Sequence, residues 1–294
     1  MHLCHHSRVE TNTFGRQLIF TTVRIRTILA DGRQVSGTGF IYNANRFDIP
    51  TPVIITNKHV VEGADSGFFS FIAAEGDGPR LGDAVEVTYT DFQKGWIGHP
   101  REDIDVTCML LAPTLIQADE AGRKVFFKSI GPNLCPTNEV LTDLDAVEEV
   151  TFVGYPNALY DTANLTPITR RGITATPIEL NYRGLPTFLI DAAAVPGSSG
   201  SPVFVTQRNG YMEGNTFRVG GFRAFFVGIV ASAHVRAESG ELVFPTSGPL
   251  VRFDQLLDLG VVFNWHAVEE TVDALCQQFG IDRNQRNAPQ IEAT

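Results

Sequence analysis

The succession of short apolar runs constrains this chain more than any other feature. "LIFTTVRIRTIL" (18–29), "GTGFIY" (37–42), "PVIITN" (52–57), "FFSFIAA" (68–74), "AVEVTY" (84–89) and "DVTCMLL" (105–111) form one series. A second comprises "EVTFVGY" (149–155), "TPITRRGITATPIEL" (166–180), "PTFLIDAAA" (186–194), "SPVFV" (201–205) and "FRAFFVGIVASAHV" (222–235). These runs are rich in β-branched and aromatic residues and are broken by Gly, Pro or Asn, which marks them as strands. Two groups of about six strands, joined by one longer connection, predict an all-β fold of two small antiparallel β-barrels packed together. In "HAVEETVDALCQQFG", Val268, Val272, Leu275 and Phe279 recur at helical spacing, so a C-terminal α-helix is expected to dock on a barrel. The expected order is an N-terminal extension (1–17), a first barrel (18–112), a connection (113–147), a second barrel (148–262), the helix (263–280) and a tail (281–294).

With 294 residues, 43% of them hydrophobic, the chain has ample material for such a core. The net charge is −10 and no run of Lys or Arg stands out, which argues against a nucleic-acid partner. No stretch approaches a membrane span, and the opening "MHLCHHSRVETNTFG" has no apolar run of signal-peptide length. No membrane partner is therefore expected. Cys4, Cys108, Cys135 and Cys276 lie far apart without paired spacing, which points to a reducing, cytoplasmic setting. His2, Cys4, His5 and His6 are of metal-ligating types, but no matching pair follows them. They read as a flexible terminus, and no metal or other cofactor is expected.

Three places carry candidate chemistry. His59 follows "PVIITNK", where a buried strand meets a turn; it either caps that turn or, given an acidic partner, acts as a base. "HPREDIDVTCMLL" offers the partner. Asp105 directly precedes the apolar run and is favoured, while Asp103 would share its face if the backbone is extended. In "PGSSGSP", Gly197 and Gly200 permit a bend that exposes Ser199 and aims the amides of Gly197 and Ser199 at one point, as an oxyanion hole requires. Ser198 and Ser201 read as plain turn residues. A serine hydroxyl needs a base to become a nucleophile, so the three places make sense together. Their order, His–Asp–Ser, is that of chymotrypsin, whereas subtilisin and the α/β-hydrolases use other orders.

From Gly37 to Val235 the chain resembles the chymotrypsin-fold serine peptidases, nearest to the bacterial trypsin-like group that includes the HtrA proteases. The resemblance rests on "GTGFIY", "ITNKHVV", "DVTCMLL", "FVGYP" and "DAAAVPGSSGSP", in that order. It implies two six-stranded barrels with a catalytic cleft between them, a nucleophile at Ser199 and an oxyanion donor at Gly197. Departures are Ser198 in place of the aspartate that pairs with a newly cut amino terminus in digestive relatives, Val60 in place of a half-cystine, and Ser201 in place of a glycine. The 32 residues after Val262 are too few for the PDZ domain of HtrA proteins, so a protease domain standing alone is expected.

In this family the residue six before the nucleophile lies at the base of the primary specificity pocket, which implies that role for Ala193. "GIVASAH" (228–234) is expected to form a wall, with Ala231, Ser232 and Ala233 beside the substrate and His234 in core or strand-end packing rather than in the pocket, where it would favour an acidic side chain. Small neutral walls favour an uncharged side chain. The resulting expectation is a serine endopeptidase acting on polypeptides and controlled by a protein activator, a loop rearrangement or narrow specificity. The alternative is a protease-fold binding module without turnover.

Overall fold

In the computed structural model, residues 10–47, 49–241 and 250–286 are described, with the backbone alone for 232–241 and 250–257. The cluster His2, Cys4, His5 and His6 lies outside the described residues. The N-terminal half builds one antiparallel sheet from β1 (Thr22–Leu29), β2 (Gln34–Asn43), β3 (Pro52–Thr56), β4 (Ala64–Glu75), β5 (Gly78–Thr90), β6 (Ile97–Gly98), β7 (Thr107–Leu110) and β8 (Val125–Phe126). Its strand order is β5-β4-β1-β2-β3-β7-β6, with β8 paired to β4. The C-terminal half uses β9 (Glu149–Gly154), β10 (Ile168–Thr174), β11 (Thr187–Asp191), β12 (Pro202–Glu213), β13 (Thr216–Glu241) and β14 (Leu250–Asn264). These six close into a barrel in the order β10-β11-β14-β13-β12-β9. The expected pair of six-stranded barrels is thus a closed six-stranded one preceded by a sheet of eight strands, two of which are only two residues long.

Alternation along the strands explains where the two halves meet. On β2, β3 and β7, Ile41, Ile54 and Met109 turn into the core of the first half, with Val23, Ile25 and Phe69. Their neighbours Phe40, Tyr42, Val53, Ile55 and Cys108 turn the other way and join Phe152, Phe204, Phe226 and Ile229 of the second half. Successive strand residues face opposite sides, so a strand buried on both reads as an unbroken apolar run such as "FIY" or "VII". Phe40 and Phe226 meet across the junction with ring centroids 5.4 Å apart.

Five short or longer helices accompany the strands: α1 (Phe14–Leu18), α2 (Lys58–Val61), α3 (Ala112–Glu120), α4 (Asn138–Asp143) and α5 (Trp265–Phe279). The segment 113–147, read from sequence only as a connection, holds most of α3, then β8 and α4. Helix α5 begins at Asn264, whose side chain accepts a hydrogen bond from the Ala267 amide, and ends at Gly280 in the left-handed region. Trp265, Val268, Val272 and Leu275 form its buried stripe. Phe279, expected to continue that stripe, lies in the last turn and is 52% exposed. Among the described residues no helix is long and apolar enough to cross a membrane.

Candidate active site

β3 delivers Asn57 and then the single turn of α2, which carries His59. The Asn57 amide donates to the Asp105 carbonyl oxygen (2.6 Å), and the His59 backbone N–H donates to Asp105 Oδ1 (3.1 Å). The remaining carboxylate oxygen, Oδ2, lies 2.6 Å from His59 Nδ1. An ionised carboxylate only accepts, so this contact places the imidazole proton on Nδ1 and leaves Nε2 free to accept one. Asp103 goes elsewhere. It pairs with Arg101 (3.1 and 2.7 Å), whose hydrogen bonds hold its carboxyl below the usual carboxylate range. The two aspartates part because residues 101–104 turn rather than extend, with Ile104 fully buried between them.

The serine segment is a tight double bend. Ser198 N–H donates to the Val195 carbonyl and Ser201 N–H to the Ser198 carbonyl, while Gly197 and Gly200 have φ of +84° and +88°. At Gly200 a β-carbon would run into the Thr38 carbonyl oxygen, so no side chain fits there. The bend is tied to β13 by Gly200 N–H to the Val230 carbonyl (2.8 Å) and Val230 N–H to the Ser201 carbonyl (2.9 Å). The Pro196 carbonyl accepts from Asn157 N–H (2.6 Å). A trans peptide sets C=O and N–H on opposite sides, so this bond turns the Gly197 N–H the other way. Among the described residues neither Gly197 N–H nor Ser199 N–H has an acceptor. Unpaired amides beside a bend form an anion-binding concavity. Ser198 and Ser201 are buried, and their hydroxyls also lack partners among the described residues.

Thr38 on β2 joins the two regions. Its N–H donates to the Ser199 carbonyl (2.9 Å), its hydroxyl donates to the Gly197 carbonyl (2.9 Å), and the same Oγ1 accepts from Tyr155 N–H (3.0 Å). Its carbonyl accepts from the hydroxyl of Thr56 (2.7 Å), three residues before His59. One residue thereby fixes the serine bend against the strand that presents the histidine. Replacing Thr38 by Val, nearly the same shape, leaves a buried donor and a buried acceptor unpaired. The expected cost is about 2 kcal/mol or more, read by urea unfolding.

The Ser199 hydroxyl donates to the Ala231 carbonyl oxygen (3.0 Å) rather than to His59. Ala231 is buried and Ala193 is half-buried. The backbone of Ser232 and Ala233 pairs with Val261 and Gly260 of β14, while their side chains and that of His234 lie outside the described residues. A depression of about 670 Å³ opens at the His59–Asp105 pair, with Lys58, Glu62, Trp96 and Glu102 also in its lining. Sequence reasoning missed Thr38, Asn57 and Asn157; the threonine between two glycines in "GTG" was the available signal. Among the described residues no group of three or more His, Cys, Asp or Glu is placed to hold a metal ion.

The family model described as "Trypsin-like peptidase domain" matches residues 37–211. Among solved structures, the chain is similar to a protease from M. tuberculosis in its active form, at 15% identity over 92% of this chain and 85% of that one, with a TM-score of 0.44. It is also similar to the serine endoprotease from Yersinia pestis, at 16% identity over 92% of this chain and 68% of that one, TM-score 0.48. A third is the HtrA-type protease AlgW with tripeptide, at 15% identity over 90% of this chain and 62% of that one, TM-score 0.46. Comparison with curated proteins returned no match.

Proposed function

Because the chain belongs to the trypsin-like peptidase domain family, we propose that it is a serine endopeptidase using His59, Asp105 and Ser199, with the amides of Gly197 and Ser199 as the oxyanion hole. The carrying observation is the pairing of His59 Nδ1 with Asp105, together with a serine bend that Thr38 ties to the strand leading to His59 and whose two amides have no acceptor among the described residues. On substrate binding the Ser199 hydroxyl leaves the Ala231 carbonyl, giving up one hydrogen bond worth about 1 kcal/mol, and turns to His59 Nε2. Ser199 Oγ then attacks the scissile carbonyl carbon while its proton passes to Nε2. The carbonyl oxygen, now negative, is held by the two amides. Collapse of this intermediate breaks the C–N bond, and the leaving amine takes the proton from Nε2. Water, deprotonated by the same nitrogen, hydrolyses the acyl-enzyme and restores Ser199.

An extended substrate adds beside β13 through main-chain hydrogen bonds, taking the Ala231 carbonyl that Ser199 now occupies. Ala193 and Ala231 supply no charge, so an uncharged residue of small to medium size precedes the cut. The three described thiols, Cys108, Cys135 and Cys276, are free, which accords with action in the cytoplasm.

The test is incubation of the purified chain with an unfolded polypeptide, counting new amino termini. Cleavage is expected to stop with a fluorophosphonate and to persist with a chelator; chelator-sensitive, fluorophosphonate-resistant cleavage contradicts the proposal. The Ser199–Ala231 bond favours a second reading, a resting protease that needs a protein activator. In that case the pure chain is slow and lysate accelerates it; equal rates exclude the activator.

A further inference from the structure

Lys58 stands next to His59 on α2, yet its ammonium is spent on the chain that carries Asp105. Nζ donates to the carbonyl oxygens of His99 (3.1 Å) and Arg101 (2.8 Å). Its stem crosses Gly98, where a β-carbon would come within 2.9 Å of Lys58 Cε. Those two carbonyls belong to the turn that ends in Asp105. The same turn is closed by His99 N–H to the Val106 carbonyl (2.9 Å) and by Arg101 N–H to His99 Nδ1 (3.0 Å). Because Nδ1 accepts there, the ring proton of His99 sits on Nε2 and is donated to Glu270 of α5 (2.8 Å). The His99 side chain is 3% exposed, so the turn is held from below by α5 and from the side by Lys58.

We propose that Lys58 is a positioning residue, a clamp that fixes the Asp105 turn against the helix bearing His59. This rests on the reading of His59 and Asp105 as the catalytic pair. His59 and Asp105 are held to each other by two direct contacts, His59 N–H to Oδ1 and Nδ1 to Oδ2. Both contacts require the turn 99–105 and the start of α2 to keep one spacing. The hydrogen bonds of Asn57 and Lys58 span that gap on either side of the pair, Asn57 to the Asp105 carbonyl and Lys58 to the carbonyls of His99 and Arg101. A methionine at 58 keeps the apolar stem and loses the span, which frees the turn to drift. Misplacement of about 1 Å at a reacting group costs on the order of a hundredfold in rate. A residue whose ammonium is committed to two backbone carbonyls therefore governs the chemical step and not binding.

The experiment compares Lys58→Met, Lys58→Arg and Gly98→Ala. Peptide turnover is expected to fall by about tenfold or more in kcat for Lys58→Met, with KM within about twofold of the parent. Lys58→Arg, which can donate to both carbonyls, recovers most of the rate. Gly98→Ala displaces the lysine stem without removing its charge and lowers kcat as well. The second readout is proton NMR in a Ser199→Ala background, following the downfield Nδ1–H signal of His59, assigned by its loss in His59→Ala. That signal is expected in the background protein and in Lys58→Arg, and is expected to vanish by exchange in Lys58→Met. Full kcat and an intact signal in Lys58→Met overturn the clamp alone. No such signal in the Ser199→Ala protein overturns the pairing of His59 with Asp105, and the clamp with it.

Discussion

Ser199→Ala is expected to lose peptide turnover by on the order of 10⁶-fold, the size of loss seen when the nucleophile of subtilisin is removed. The fold should survive this change almost intact. The backbone of Ser199 still accepts from Thr38 N–H, and its own N–H still has no acceptor among the described residues. Only the hydroxyl's bond to the Ala231 carbonyl disappears, worth about 1 kcal/mol at a half-buried position. Activity and stability should therefore separate cleanly: initial rates about 10⁶-fold below the parent, with a urea midpoint close to the parent. Ser198→Ala and Ser201→Ala serve as the comparison. Both hydroxyls are buried and lack partners among the described residues, so neither change removes a hydrogen bond seen there. Both variants should retain most of the activity.

Asp105→Asn is expected to lower kcat by on the order of 10⁴-fold, with little change in KM. Asparagine keeps the shape of aspartate but makes one of its two atoms a donor. If the new NH₂ faces His59 Nδ1, that nitrogen must accept, so the ring proton moves to Nε2 and the serine loses its base. If the NH₂ faces the His59 backbone N–H instead, two donors confront each other. Asp103→Asn is the contrast. It breaks an exposed ion pair with Arg101, an interaction of little value in water, and should leave kcat within about twofold. Measuring both variants on one peptide substrate assigns the carboxylate. Equal losses would mean that Asp105 is not the carboxylate that orients His59.

Much of this was legible in the chain because it rests on local pattern. Alternation and turn residues marked eleven of the strand segments, and α5 was legible because its Val268–Leu275 stripe has helical spacing. β14 was not named as a strand. Its backbone reverses sign at Asp258 (φ +56°) and its register with β13 shifts between Ala233 and Val235, which breaks the alternation that a strand pattern relies on. β12 also runs eight residues past the apolar "SPVFV". That extension pairs only with β13 in a hairpin whose Phe217 and Val219 are exposed, so no half-buried pattern announced it. At the site, His59, Asp105 and Ser199 stood out by residue type and setting. Thr38 and Lys58 did not, since their parts are played through hydrogen bonds to backbone carbonyls of residues that lie far along the chain. Such contacts leave no periodicity to read.

The proposed chemistry turns on Ser199 as the nucleophile and His59 as its base. The most direct measurement is mass mapping of the adduct formed with a fluorophosphonate, on the parent and on His59→Ala. One phosphonyl group per chain, on Ser199 and absent from the His59→Ala protein, is the result predicted. An adduct on Ser198, Ser201 or another residue, or one that forms equally without the imidazole, would contradict it.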